Sequence, residues 1–114
     1  LEVFTRYGRR RILQYPKKGE SNFTTNLNTP IQGLGADCMK AAMALLWERH
    51  LADDPEIKVC ACVHDELILE CPSNRAEEAQ QILKQCMEDA APLIGIKTVP
   101  IVAEPSSGTD WSAK

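Results

Sequence analysis

The chain has 114 residues, of which 44% are apolar and 25% charged, with a net charge of −3. That size supports one domain with a modest core. No apolar run approaches the ~20 residues that span a bilayer, so no membrane partner is expected.

The charge is unevenly spread. Residues 1–18 carry Arg6, Arg9, Arg10, Arg11, Lys17 and Lys18 against Glu2 alone, a net of +5, while the remaining 96 residues hold 7 positive and 15 negative groups, a net of −8. A basic arm on an acidic body suits a protein that meets phosphates at one place, although a solvated basic hairpin has the same pattern. The start, LEVFTRYGRRR, has no secretory apolar stretch, and Leu1 is not an initiator methionine. The sequence reads as a piece of a longer one. Its five cysteines, Cys38, Cys60, Cys62, Cys71 and Cys86, include no C-x-x-C pair, which fits a reducing cytosol and small buried thiols.

Taken in chain order, LEVFTR and RRILQY are β-type runs joined through Tyr7-Gly8, so residues 1–18 form a basic hairpin. PKKGESN is a surface loop. The clearest helix follows over residues 28–51, capped by Asn28 or Thr29 with Pro30 in the first position, and broken by Asp53-Asp54-Pro55. Ile31, Leu34, Cys38, Ala41, Ala42 and Leu45 recur at helical spacing and predict one buried stripe. Gly33 and Gly35 are each disfavoured in a helix by about 1 kcal/mol relative to Ala, so that face is expected to admit a close approach. Residues 57–71 predict a hairpin of two apolar strands, Ile57 to Val63 and Leu67 to Cys71, with Pro72 ending the second. Residues 74–104 predict a helix opened by a capping box at Asn74-Arg75-Ala76-Glu77 and a last strand over Thr98 to Glu104. The fold class expected is α+β, an antiparallel sheet with helices packed on one face.

The chemistry concentrates where the central strands meet. VCACVHDELILEC places His64, Asp65 and Glu66 in a row at a hairpin tip, where Asn-Gly would turn at less cost. A tip holds side chains in solvent while the strands fix their backbone. Asp65 and Glu66 can there offer oxygen ligands to Mg²⁺, which favours a few carboxylates plus waters and phosphates. A rival reading sets Cys60, Cys62 and His64 on one strand face as zinc-type ligands, but the C-x₂₋₄-C spacing and a fourth ligand are missing. A Cys-His-Asp nucleophilic site is weaker, because neighbours along a strand point to opposite faces.

Two separated motifs carry a resemblance. NTPIQGLGAD, Asn28 to Asp37, opens the long helix, and VHDE, Val63 to Glu66, sits in the following hairpin. In this order and spacing they resemble the C-terminal part of the palm of family A DNA polymerases. GRRR at Gly8 to Arg11 and G-x-x-W at Gly108 to Trp111 are similar too, so the likeness covers nearly the whole chain. It implies that Asp65 is a metal-binding aspartate, with Glu66 assisting, of a two-Mg²⁺ site completed by residues outside this chain. It implies that His64 approaches the primer terminus, that Asn28 and Gln32 reach the minor groove of the nascent duplex, and that Arg9, Arg10 and Arg11 contact phosphates. The implied partners are primer-template DNA, deoxynucleoside triphosphates and the remaining polymerase domains. The implied setting is replication or repair at the nucleoid, in the cytoplasm of a bacterium or phage-infected host.

The departures are specific. Cys62 stands where family members commonly have Gln, and Phe23 and Thr24 stand where they commonly have Glu-Arg. The family's first motif, with its other aspartate, and its nucleotide-binding helix with Lys and Tyr are not in these residues. The isolated chain is therefore expected not to polymerise DNA. The alternative function is a zinc-binding or non-catalytic DNA-binding module.

Overall fold

The computed structural model describes residues 1–6 and 8–110. Tyr7 of the expected first turn and Trp111 of the G-x-x-W motif lie outside the described residues. Two compact units divide the chain, Leu1–Asp37 and Cys38–Lys114.

In the first unit β1 (Glu2–Phe4) and β2 (Arg10–Ile12) pair antiparallel in the register Glu2↔Ile12, Val3↔Arg11, Phe4↔Arg10. The long helix α1 (Phe23–Arg49) starts in this unit. It begins five residues before Asn28, and Pro30 lies inside it. The earlier start has a local cause. The Ser21 hydroxyl accepts the Phe23 N–H at 3.1 Å, and the Asn26 N–H already reaches Asn22 O at 2.8 Å. These contacts satisfy donors that a helix start leaves open, seven residues before the proline.

The second unit holds β3 (Lys58–Val63), β4 (Glu66–Glu70) and α2 (Ala76–Leu93). Its core gathers Ala42, Leu45 and Leu46 from α1, Leu51, Ile57, Leu67, and Ala79, Cys86 and Ala90 from α2. Cys38 and Ala41 pack against that core as the helical spacing predicts, but Ile31 is 73% exposed and leaves the expected stripe. α2 ends at a left-handed glycine. Gly95 has φ 86, its N–H bonds Pro92 O at 3.1 Å, and the Ile96 N–H bonds Ala91 O at 2.9 Å. These two bonds satisfy the last carbonyls in the Schellman pattern.

The class is α+β, as expected, but the strands form two separate two-stranded sheets, β1-β2 and β3-β4. The predicted last strand over Thr98 to Glu104 does not form. Pro100 lies in its middle and cannot donate to a ladder. Side chains of α2 hold the segment instead: Glu88 Oε2 accepts the Ala103 N–H at 2.9 Å, and Lys84 Nζ donates to Ala103 O at 2.9 Å. The predicted capping box at Asn74 is also absent. A 3₁₀ turn at Ser73–Arg75 precedes α2, with no side-chain cap.

Arg75 does other work. Its guanidinium donates to Asp54 Oδ1 and Oδ2 at 2.9 and 2.7 Å, to Glu56 at 3.3 Å and to Glu78 at 3.0 Å. Asp54 and Glu56 precede β3, and Arg75 follows β4, so this cluster joins the two ends of the hairpin. No helix among the described residues is long and apolar enough to cross a membrane.

The hydrogen bonds from Arg75 hold the Asp54 and Glu78 carboxyls below their ordinary range. A carboxyl depressed in the folded state stabilises above its unfolded pKa and loses that contribution as pH falls. The melting temperature is therefore expected to drop as pH falls through about 4, near the unperturbed carboxyl range. Arg75→Ala should flatten that acid limb, with Glu88 and Asp89, depressed through Lys84 and Arg49, supplying what remains. Melting curves at stepped pH check it; an unchanged limb would exclude the Arg75 cluster as a source.

Candidate active site and nucleic-acid interface

The β3-β4 register runs Lys58↔Glu70, Val59↔Leu69, Ala61↔Ile68, Cys62↔Leu67, Val63↔Glu66. His64 and Asp65 are thus the whole loop, and Glu66 is the first residue of β4. All three are exposed, while Leu67, one rung below the tip, is 7% exposed and belongs to the core. A buried side chain therefore anchors the backbone directly beneath three solvent-facing ionisable groups. The turn itself is strained. His64 has φ 55, the sign that tight two-residue hairpin turns require at their first central position. For a residue with a Cβ this conformation costs roughly 1–2 kcal/mol.

The zinc-type set does not assemble. A bulge between Val59 and Ala61 interrupts the alternation of β3 at Cys60, and among the described residues no three His, Cys, Asp or Glu come together for a metal ion. Desolvation by its surroundings and the neighbouring Glu70, 3.6 Å from its sulfur, push the Cys60 thiol up.

The basic residues lie in the first unit. The Thr5 N–H bonds Arg9 O at 2.9 Å, and the Thr5 hydroxyl accepts the Arg9 N–H at 3.0 Å, closing the loop between β1 and β2. Arg9 Nε and Nη2 both donate to Asp37 Oδ1, at 2.8 and 2.5 Å. Arg11 Nη1 donates to the Thr29 hydroxyl at 3.2 Å, and Arg10 makes a long 3.4 Å pair with Glu2. A Cβ at Gly33 would run into Thr5 Cγ2, while at Gly35 it would meet open space. The close approach expected at this stretch is therefore the hairpin's own Thr5, and it concerns Gly33 alone. Asn28 and Gln32 are exposed on α1, one turn apart and so on one face.

The family model described as DNA polymerase family A matches residues 2–113. The chain belongs to that family. DNA polymerase I of Streptococcus pneumoniae is 36% identical over 116 residues, covering 96% of this chain and 12% of that protein. The thermostable DNA polymerase I of Thermus filiformis is 39% identical over 114 residues, covering 96% and 13%. That of Thermus aquaticus is 37% identical over 118 residues, covering 98% and 14%. This family A chain thus spans between 12% and 14% of the length of these relatives.

Within this family A chain His64, Asp65 and Glu66 stand in succession at one tip, without forming a three-residue metal group, and Arg9, Arg10 and Arg11 lie on one hairpin. Sequence reasoning missed Asp37, Thr29 and Thr5. Asp37 stood in the quoted NTPIQGLGAD stretch; only its partner, 28 positions away, was invisible.

Two substitutions check this local reading. His64→Val places a β-branched residue in the left-handed region and should lower stability by about 1–2 kcal/mol, whereas His64→Gly should not. Equal melting temperatures for the two would show that the turn carries no strain. Gly33→Ala should lower the melting temperature despite the better helix propensity of Ala. Thr5→Ser, which deletes Cγ2 and keeps the hydroxyl bonded to Arg9, should restore it; a tolerated single change would overturn the packing argument.

Proposed function

We propose that these residues are the C-terminal part of the palm of a template-directed DNA polymerase. In this reading Asp65 contributes one metal-binding carboxylate to nucleotidyl transfer, Glu66 assists beside it and His64 stands near the primer terminus. One observation carries the reading. In a member of family A, three exposed ionisable side chains occupy a two-residue loop and the strand residue after it, on a hairpin anchored one rung below by buried Leu67.

The donor set at the tip suits Mg²⁺. Asp65 and Glu66 are hard oxygen ligands, and Mg²⁺ takes one or two carboxylates together with waters and substrate phosphates. In this reading the other protein ligands come from outside these residues. Two Mg²⁺ ions, held in part by Asp65 and Glu66, would supply charge neutralisation for an in-line phosphoryl transfer. The chain's own contribution is position: the core-anchored strands present Asp65 without reorganisation at the moment of reaction.

The remaining roles follow from exposure and chemistry. Asn28 and Gln32 are amide donors one turn apart, suited to the purine N3 and pyrimidine O2 acceptors that every base pair shows in the minor groove. They would check pairing shape without reading sequence. Of Arg9, Arg10 and Arg11, expected on phosphates, Arg10 and Arg11 are the two not paired with Asp37 and so the phosphate contacts, which makes binding salt-dependent. The partners are primer-template DNA, deoxynucleoside triphosphates and the rest of the polymerase.

In the full polymerase, Asp65→Asn should lower turnover by at least about a hundredfold, the scale at which losing one transition-state stabiliser is felt. Primer-template affinity should stay nearly constant. Primer-extension kinetics beside a binding titration separate the two, and near-normal turnover would reject the assignment. The isolated 114-residue chain should extend no primer.

A further inference from the structure

Of the three adjacent arginines at the basic hairpin, one is committed elsewhere. Two nitrogens of Arg9 donate to a single oxygen of Asp37, whose side chain is only 14% exposed against 34% for Arg9. The backbone of Arg9 is pinned as well, through both its N–H and its carbonyl, to Thr5. Its neighbours differ. Arg10 is 54% exposed in a loose pair with Glu2. Arg11 meets a hydroxyl, which leaves its charge without a carboxylate partner among the described residues.

We propose that Arg9 and Asp37 form an internal lock that fixes the hairpin from which Arg10 and Arg11 reach DNA, so that Arg9 is a positioning residue and not a phosphate ligand. Moving Arg9 onto a phosphate would leave a largely buried carboxylate without its cation, which is costly. The lock also lies beside the place where Gly33 makes room for Thr5, so the same turns of α1 fix the hairpin by charge and by shape. The consequence for DNA rests on the polymerase reading; the lock itself does not.

Simple electrostatics and the lock predict opposite signs. Asp37→Ala removes a negative charge and frees an arginine, which would tighten DNA binding if Arg9 were a phosphate ligand. The lock predicts weaker binding. The experiment is anisotropy of a labelled primer-template duplex, titrated with the full-length polypeptide containing these residues, at salt from about 50 to 200 mM, where phosphate contacts dominate the change. Arg9→Ala and Asp37→Ala should each weaken binding several-fold, the double variant should be no weaker than either, and the exchanged pair Arg9→Asp with Asp37→Arg should recover affinity. Arg10→Gln and Arg11→Gln should each reduce the slope of log K against log salt by about 0.9.

Tighter binding by Asp37→Ala overturns the proposal. So does an Arg9→Ala slope lower by one contact with Asp37→Ala silent. If Arg10→Gln and Arg11→Gln leave the slope unchanged, it is the DNA reading of the hairpin that fails. The lock is then judged from melting temperatures without DNA: losses that fail to add in the double variant support it, and additive losses refute it.

Discussion

Burial of Leu67 against the core shared by α1 and α2 is the interaction on which the catalytic reading depends. A two-stranded sheet is at best marginally stable by itself. Most of β3 is exposed, including Val59, Cys60 and Cys62, so that strand anchors little. Ile57, just before β3, and Leu67, just after the tip, are the buried attachments at its two ends. Burying a leucine side chain contributes about 1.5–3 kcal/mol. Holding His64 at φ 55 costs roughly 1–2 kcal/mol. The anchor is large enough to offset the strained turn, and it acts one rung away from it. Where a carboxylate must stand in a fixed place while staying wet, this arrangement fixes the backbone through its neighbour and leaves the side chain free.

Charge in this protein divides into a structural share and a presented share. Arg75 spends its charge on Asp54, Glu56 and Glu78, and Arg49 on Asp89 at 2.6 Å. Arg9 does the same with Asp37. Each sits where segments distant in the sequence converge. Arg10, in its loose pair with Glu2, and Arg11, bonded only to the Thr29 hydroxyl, are left without a close carboxylate among the described residues. The net +5 of residues 1–18 therefore overstates what a phosphate backbone would meet, because part of it is already neutralised within the first unit.

Much of the architecture was legible from local pattern. The central hairpin followed from two apolar runs around a polar triplet, and its tip fell at His64-Asp65. The long helix followed from its periodicity, though not its start: Pro30 pointed to a first turn, whereas Ser21 and Asn22 already organise one upstream. The segment over Thr98 to Glu104 alternates like a strand, but a strand exists only with a partner, and Pro100 and the Lys84–Glu88 contacts decided otherwise. At Asn74 a cap was legible in composition, yet Arg75 beside it had three carboxylates to gather.

By itself, the sequence determined the order of elements from β1 to α2, the hairpin that carries His64, Asp65 and Glu66, and the motifs that resemble DNA polymerase family A. These rest on spacing along the chain, which periodicity and turn chemistry expose directly. Only tertiary structure decided which of three consecutive arginines is paired with a largely buried carboxylate, why residue 33 must lack a side chain, and which apolar residue anchors the tip. Those outcomes depend on groups far apart in sequence and close in space, Arg9 with Asp37, Gly33 with Thr5, Leu67 with Leu46 and Cys86 in one core. No local pattern encodes such pairs, because each residue satisfies its own element's rules equally well with or without the partner it meets.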